Sequence, residues 1–292
     1  MERPGDKMVP ALLLDQPPKL RGVNHNNLTR IRCMNSNVRL HRSMFVPSLI
    51  LSNVMSLAPK IDEIRPFVVK ANVEVAVFTE TWLKSTILDS VVNIPGYRII
   101  RKDRTESIHG GVCIYIKNKM KCCILHDLVN PQFEVLWIKL QPRRLPRGLS
   151  SIVLGAIYHP PGSDNQAMTR YLTDCLTSAE AMYKNCGIII MGDLNRLKTT
   201  SISRQFKLKQ LVHFPTRGAR TLDVVLTNMP QFYGPPKQSP PFGLSDHLTI
   251  LIPPKVRQTI VDKCRVVKTR DTRPSNKNAL GRVLSEVNWS CL

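Results

Sequence analysis

The chain has 292 residues, 42% of them hydrophobic, which is enough to bury one large core. Its 42 Lys and Arg against 21 Asp and Glu give a formal charge of +21, typical of a protein that binds a polyanion. The sequence has no apolar run of the roughly 18 residues that a membrane helix needs, and its eight cysteines lack the spacing of a zinc site or a small disulfide framework.

The first 44 residues are polar and basic without a sustained period, and we interpret them as a disordered leader. Residues 48–54 then predict a buried strand. Apolar residues at helical spacing from Leu57 to Val68 predict a helix, with Ser56 as its N-cap. Further strands are predicted at residues 73–82, 97–102, 111–117 and 133–140.

A second strand and helix follow, because residues 150–158 form an apolar run stopped by two prolines and an apolar stripe extends from Met168 to Met182. Later strands are predicted at residues 187–193, 221–228 and 245–252, and after Pro253 the sequence is basic and polar. Many strands with only two long helices favour sheets packed on each other with helices outside, rather than a TIM barrel.

Polar residues follow or flank most of these strands: Asn53, Glu80, Tyr158, Asp193, Asn195, Asp223, Asp246 and His247. Each alone has an ordinary interpretation as a turn former, a helix cap or a solvated side chain. Because strand ends of packed sheets meet at one rim, we expect the set to converge on one cleft. Converging carboxylates require a cation, and oxygen donors favour Mg²⁺ or Mn²⁺ over zinc.

Within this set, the orientation of Asp193 and Asn195 and the chemistry of His247 can also be predicted. The single leucine between Asp193 and Asn195 predicts that both side chains point the same way, as alternate residues of a strand do. An imidazole at His247, with aspartates available nearby, is suited to acid–base chemistry. Metal, water and imidazole together are a hydrolytic set, and the basic charge indicates phosphate as the target.

Nine stretches resemble the endonuclease/exonuclease/phosphatase superfamily, and most closely the endonuclease domain of non-LTR (LINE-type) retrotransposon polyproteins. In order, they are LSNVMSLAPKIDEI, VAVFTETWL, IPGYRIIRKDR, GGVCIYIK, FEVLWIKL, AIYHPPG, IIIMGDLN, PTRGARTLDVVLTN and FGLSDH. The resemblance covers residues 45–254. It implies a DNase-I-like α/β fold, a four-layer sandwich of two mixed β-sheets packed face to face with flanking helices, and Mg²⁺-dependent nicking of DNA.

The resemblance also implies a metal site. Glu80 and Asn53 match the family's metal-binding pair, and Asp246 matches a residue that supports the metal side of the cleft. Mg²⁺ is the expected ion, with Mn²⁺ as the alternative, and no small-molecule cofactor is expected.

The remaining matches imply the reaction groups. Asp193 would orient or deprotonate the attacking water, Asn195 would hold the scissile phosphate, and Tyr158 would contact it in the transition state. His247 would bind or protonate a phosphate oxygen, with Asp223 fixing the tautomer of the imidazole.

The sequence departs from the family at several positions. Met55 stands where retroelement relatives often carry a basic residue, and His109 occupies a turn that is usually richer in glycine and arginine. Arg220 and Thr221 stand where abasic-site enzymes place an aromatic residue, which puts a pocket for a base-free sugar in doubt.

Two alternatives stay open: a phosphatase or phosphodiesterase of the same fold that acts on small phosphate esters, and a non-catalytic nucleic-acid-binding remnant. Residues 255–292 resemble the start of a linker to a reverse transcriptase, whose Y-x-D-D signature the sequence lacks. We expect a retrotransposon-derived monomer in the nucleus or cytoplasm. Its expected partner is DNA, and no membrane association is expected.

Two groups of basic residues are candidate contacts for the DNA backbone or, equally, solvated loops: Arg101, Lys102 and Arg104, and Arg143, Arg144 and Arg147. His159, a loop histidine before two prolines, is interpreted as structural.

Overall fold

A computed structural model of the chain describes residues 46–105, 107, 109–255 and 274–289. The chain divides into two units, residues 42–258 and a unit made of residues 1–41 and 259–292. The described part of the second unit contains one helix, Pro274–Ser285, with no buried residue. This helix differs from the sequence analysis, which found no pattern after Pro253. The leader at residues 1–44 lies outside the described residues.

The described residues of the larger unit form twelve strands and three α-helices. The strands are β1 (Leu49–Asn53), β2 (Val75–Thr79), β3 (Tyr97–Lys102), β4 (Val112–Lys117), β5 (Lys121–Ile124), β6 (Glu134–Gln141), β7 (Ile152–Tyr158), β8 (Gly187–Asp193), β9 (Lys209–Gln210), β10 (Asp223–Thr227), β11 (Lys237–Ser239) and β12 (Thr249–Ile252). The helices are α1 (Ile61–Ala71), α2 (Asn165–Met182) and α3 (Thr200–Gln205), and the helix of the second unit is α4. Among the described residues, no helix is long and apolar enough to cross a membrane.

The strands form two mixed sheets of six. Sheet A has the order β11-β12-β1-β2-β4-β3, and sheet B has the order β5-β6-β7-β8-β10-β9. In sheet A, β1 is parallel to β2 and antiparallel to β12. In sheet B, β8 is parallel to β7 and antiparallel to β10. Each sheet therefore has a parallel pair at its centre.

The two sheets pack face to face, and α1 covers one outer face while α2 and α3 cover the other. Strand β8 shows the reason, because successive side chains of a strand point to opposite faces. Ile189 and Met191 lie in the core between the sheets, whereas Ile188 and Ile190 pack with the buried faces of α2 and α3. The core beneath α1 contains Ile50 from sheet A. This arrangement confirms the predicted four-layer sandwich.

The prediction that Ser56 caps α1 is wrong. A 3-10 turn at Ala58–Lys60 precedes the helix, and the residue at the N-cap is Lys60, whose side chain makes no cap hydrogen bond. Ser56 instead donates its backbone N–H to the carbonyl of Glu80 at 2.9 Å. The connection after β1 thus continues to pair with the residues that follow β2, which fixes the position of Glu80.

Candidate active site

Strand alternation directs four of the predicted site residues into the space between the sheets, at one rim. These four are Asn53, Tyr158, Asp193 and Asp223, each at the end of its strand. In every case the residue two positions further into the strand packs in the core between the sheets: Leu51, Ala156, Met191 and Val225. A period of two therefore places the polar end residue on the same inner face.

The amide of Asn53 joins the two sheets. Its Nδ2 donates to Glu80 Oε1 at 2.9 Å and to Asp193 Oδ2 at 2.8 Å, while its Oδ1 accepts the backbone N–H of Met55 at 3.2 Å. Asn53 is fully buried, and Glu80 follows β2 in a left-handed turn with φ of 49°. The amide therefore sets the separation of two carboxylates that would otherwise repel each other.

Tyr158 reaches the same carboxylate from sheet B. Its hydroxyl donates to Glu80 Oε1 at 3.1 Å. Burial raises the pKa of Tyr158, and the charge of Glu80 and the hydrogen bond to it raise the pKa further. The phenol consequently stays protonated and acts as a hydrogen-bond donor at the rim.

Asp223 and His247 form a buried pair next to Asp193. His247 Nδ1 lies 2.7 Å from Asp223 Oδ2, and its Nε2 lies 3.9 Å from Asp193 Oδ2. Asp223 and Asp193 are registered partners on antiparallel β10 and β8. Burial lowers the pKa of His247, but the hydrogen bond and charge of Asp223, with Asp193 and Asp246, outweigh burial and raise the pKa overall. The hydrogen bond to Asp223 therefore keeps a proton on Nδ1 and turns Nε2 toward Asp193.

The environment of Asp193 opposes its ionisation. Burial first, and the negative charge of Asp223 second, raise the pKa of Asp193 to about 7, against the opposing effects of His247 and of hydrogen bonds from Asn53 and Asn195. A carboxyl group with a pKa near neutrality is suited to exchanging a proton with water.

Asn195 comes beside Asp193 through a turn rather than through strand alternation. Strand β8 ends at Asp193, and Asn195 has a left-handed φ of 47°. Its backbone N–H donates to Asp193 Oδ1 at 3.0 Å, and its Nδ2 donates to the carbonyl of His159 at 2.8 Å. His159 is buried and its Nε2 lies 2.8 Å from Asn165 Oδ1, so it supports this turn.

Asp246 lies on the His247 side of the site and is half-exposed. Its Oδ2 pairs with Arg217 Nε at 2.6 Å, and its Oδ1 lies 3.8 Å from His247 Nε2. Within the described residues its polar contacts are with these two side chains and not with Glu80 or Asn53.

The donor atoms at the rim fit a hard divalent cation. Among the described residues, Glu80 Oε2 accepts no hydrogen bond, and Asn53 Oδ1 accepts only one and keeps a lone pair. Asp193, Asp223 and His247 also offer ligand atoms within 4.8 Å of one another. Asp223 Oδ1 and His247 Nε2 are buried without a hydrogen-bond partner in the described part of the chain. Carboxylate and amide oxygens are the donors that Mg²⁺ and Mn²⁺ prefer.

The sequence matches the family described as Endonuclease/Exonuclease/phosphatase family over residues 34–247. The chain belongs to the endonuclease/exonuclease/phosphatase family. This family consists of phosphate-ester hydrolases that typically depend on a divalent metal, and the buried acidic and histidine cluster agrees with that chemistry. Comparison with curated protein sequences gives no match.

Solved structures show the same fold at low identity. The AP endonuclease LMAP from Leishmania major is 15% identical, with a TM-score of 0.57 over 70% of this chain and 86% of that one. The endonuclease domain of TRAS1, a telomere-specific non-LTR retrotransposon, is 12% identical, with a TM-score of 0.54 over 72% and 99% of the two chains. The Xenopus laevis APE2 catalytic domain is 15% identical, with a TM-score of 0.52 over 74% and 94%.

Three residues that the sequence analysis did not single out hold the candidate site in place. Thr216 Oγ1 accepts the backbone N–H groups of Leu222 and Asp223, Ser245 Oγ donates to the carbonyl of Asn53, and Arg217 pairs with Asp246. Sequence analysis did not find these residues because hydroxyl and guanidinium side chains are common in loops. The bonds that they make also join residues that lie apart in the sequence. No local pattern indicates them.

Proposed function

We propose that this chain is a divalent-metal-dependent endonuclease that nicks phosphodiester bonds in DNA. The observation that carries the proposal is the link from Glu80 through the Asn53 amide to Asp193, with the Asp223–His247 pair beside it. A carboxylate for a metal, a carboxyl group for water and an oriented imidazole are together at one rim. These are the groups that hydrolysis of a phosphodiester requires.

Glu80 and Asn53 would hold the ion, for which Mg²⁺ is the proposed choice and Mn²⁺ the alternative. The ion, when bound, supplies Lewis-acid stabilisation of the negative charge on the phosphate. The proposed role of Asp246 on the metal side depends on the family resemblance alone.

The protein's own groups would divide the reaction as follows. Asp193 orients the attacking water and accepts its proton, since its pKa is raised to about 7. His247, charged and oriented by Asp223, donates to a phosphate oxygen through Nε2, which has no partner among the described residues. Tyr158 and Asn195 would contribute neutral hydrogen bonds to the phosphate.

DNA is the proposed partner because a net charge of +21 is suited to a long polyanion rather than to a small ester. We place the catalytic domain at residues 45–254, between basic tails, in a nuclear or cytoplasmic monomer. A non-LTR retrotransposon origin is supported by the ordered motifs and by the shared fold of the TRAS1 endonuclease domain.

A supercoiled plasmid tests the proposal. Relaxed circles should appear with Mg²⁺ and not with EDTA, and Asp193→Asn and His247→Ala should abolish nicking while salt-sensitive DNA binding remains. Absence of relaxed circles alongside turnover of a small phosphate ester would show a phosphatase or phosphodiesterase instead. Nicking by the variants at the rate of the parent would place the chemistry elsewhere.

A further inference from the structure

The structure separates basic residues that are free to bind a polyanion from those that are engaged within the protein. Arg101 pairs with two aspartates, Lys102 donates to two backbone carbonyls, and Arg104 pairs with Glu134. The first of the two basic groups found in the sequence is thus used internally.

The second group, Arg143, Arg144 and Arg147, lies in the loop between β6 and β7. This loop is at the far end of sheet B, because β7 begins after it at Ile152 and reaches the site only at Tyr158. Seven strand residues span about 20 Å. These exposed arginines are therefore remote from the site.

A third basic group lines a cleft next to the site. A cavity of about 550 Å³ is lined by Arg170 in α2 and by Arg196 and Lys198 in the segment after Asn195. Its other lining residues are Asn165, Gln166 and Thr169. All three cations are exposed, and within the described residues none has a carboxylate at ion-pair distance. We call this cavity the Arg170 cleft.

The Arg170 cleft shares one wall, Arg196, with a cavity that reaches two residues of the candidate active site. Arg196 also lines a second cavity of about 790 Å³, whose other walls include Asn195, Arg217, Arg220 and Asp246. A basic surface therefore starts at residues of the site and extends past Arg196 to the beginning of α2. Its cations and amide side chains are the groups that contact phosphate and sugar without reading bases.

We propose that the Arg170 cleft binds the sugar–phosphate backbone of DNA at phosphates to one side of the one that is cleaved. This inference rests on the proposed function and makes it more specific, because a small phosphate ester would fill the site without reaching the cleft. Contacts away from the reacting phosphate bind the ground state and the transition state equally. Their loss should therefore raise KM and leave the chemical step in place.

The test compares two triple variants with the same change of charge. Arg170→Gln, Arg196→Gln and Lys198→Gln remove the cleft cations, and Arg143→Gln, Arg144→Gln and Arg147→Gln remove the remote group as a matched control. All six side chains are exposed, so both proteins should fold. Binding to a duplex oligonucleotide is measured by fluorescence anisotropy in EDTA across salt concentrations, and nicking kinetics are measured with Mg²⁺.

The cleft variant should lose about tenfold or more in affinity at moderate salt, and the slope of log K against log salt should become shallower by about 2 to 3. Its loss in nicking should lie in KM rather than in kcat. The control triple should bind and nick like the parent. Equal behaviour of the two triples, in binding or in KM, would overturn the inference.

The binding arm separates this inference from the proposed function. If the parent hydrolyses neither DNA nor bis(4-nitrophenyl) phosphate, the proposed function fails. The comparison of DNA binding in EDTA still decides whether the Arg170 cleft binds DNA. If the parent nicks DNA and the two triples bind alike, the function stands and the cleft assignment fails.

Discussion

Asn53 in sheet A donates a 2.8 Å hydrogen bond to Asp193 in sheet B. Because the same amide nitrogen also donates to Glu80, one side chain sets the distance between the proposed metal ligand and the proposed water-binding carboxyl group. This bond makes the geometry of the site depend on how the two sheets pack.

Asn53→Ala should lower nicking by about 10- to 100-fold, since it removes a buried amide that orients two carboxylates. The measurement is initial nicking rate against Mg²⁺ concentration. Ser52→Ala is the control, because Ser52 is equally buried in β1 but bonds to Thr249 outside the site. Equal rates for the two variants would show that the amide bridge has no part in activity.

Asp223→Asn should reduce nicking by at least about 10³-fold while keeping the shape of the pair, because a neutral amide no longer favours the protonated Nδ1 of His247. Plasmid nicking under single-turnover conditions measures the loss. Asp174→Asn makes the same change on the exposed face of α2 and should act like the parent. If Asp223→Asn keeps its activity, nicking does not depend on Asp223 fixing the tautomer of His247.

The raised pKa of Asp193 predicts a pH-dependent stability in the absence of metal. Its folded-state pKa is about 7 against an ordinary value of 3.8, so the protonated form stabilises the fold and this contribution is lost as pH rises through 7. Between pH 5 and pH 8 the free energy of unfolding of the parent should therefore fall relative to Asp193→Asn, by on the order of 2 kcal/mol.

Urea unfolding of both proteins in EDTA at the two pH values measures this difference. The quantity compared is the change in the free energy of unfolding between the two pH values. Any destabilisation by the asparagine that does not depend on pH cancels in this comparison. A difference that is independent of pH would mean that Asp193 titrates near its ordinary value.

Gly192→Ala should destabilise the protein by about 3 kcal/mol or more, through overpacking that the backbone cannot relieve. A Cβ at this position would lie 1.7 Å from the carbonyl oxygen of Ile157 on the neighbouring strand. Thermal unfolding is the measurement. Gly234→Ala is the control, because its Cβ would meet Pro253 at an ordinary 3.5 Å. An unchanged Tm for Gly192→Ala would contradict the close approach of β7 and β8.

The sequence predicted the central strands, both long helices and the sandwich, because these elements have strong apolar periods. It missed β5 because this edge strand (Lys121–Ile124) has only four residues, three of them exposed. Strands β9 and β11 have two and three residues, too few for a period. The helix α3 has six residues, fewer than two full turns, which is also too short for a clear period.

At the site, the sequence identified polar strand ends but not the bonds between them. Alternation accounts for the direction of Asn53 and Asp193, whereas Asn195 depends on a left-handed turn that no periodicity encodes. The basic residues show the same limit. Composition cannot distinguish Arg101, which pairs with two aspartates, from Arg196, which lines an open cleft.

The order of strands in sheet A has a consequence for synthesis. Strands β1 to β4 come before all of sheet B, and β11 and β12 come after it. Glu80, Asp193 and Asp223 therefore leave the ribosome before His247. His247 lies two residues before β12, and β12 pairs with β1. A nascent chain thus gains its proposed proton donor last. The proposed site is therefore incomplete until β12 pairs with β1 and closes sheet A.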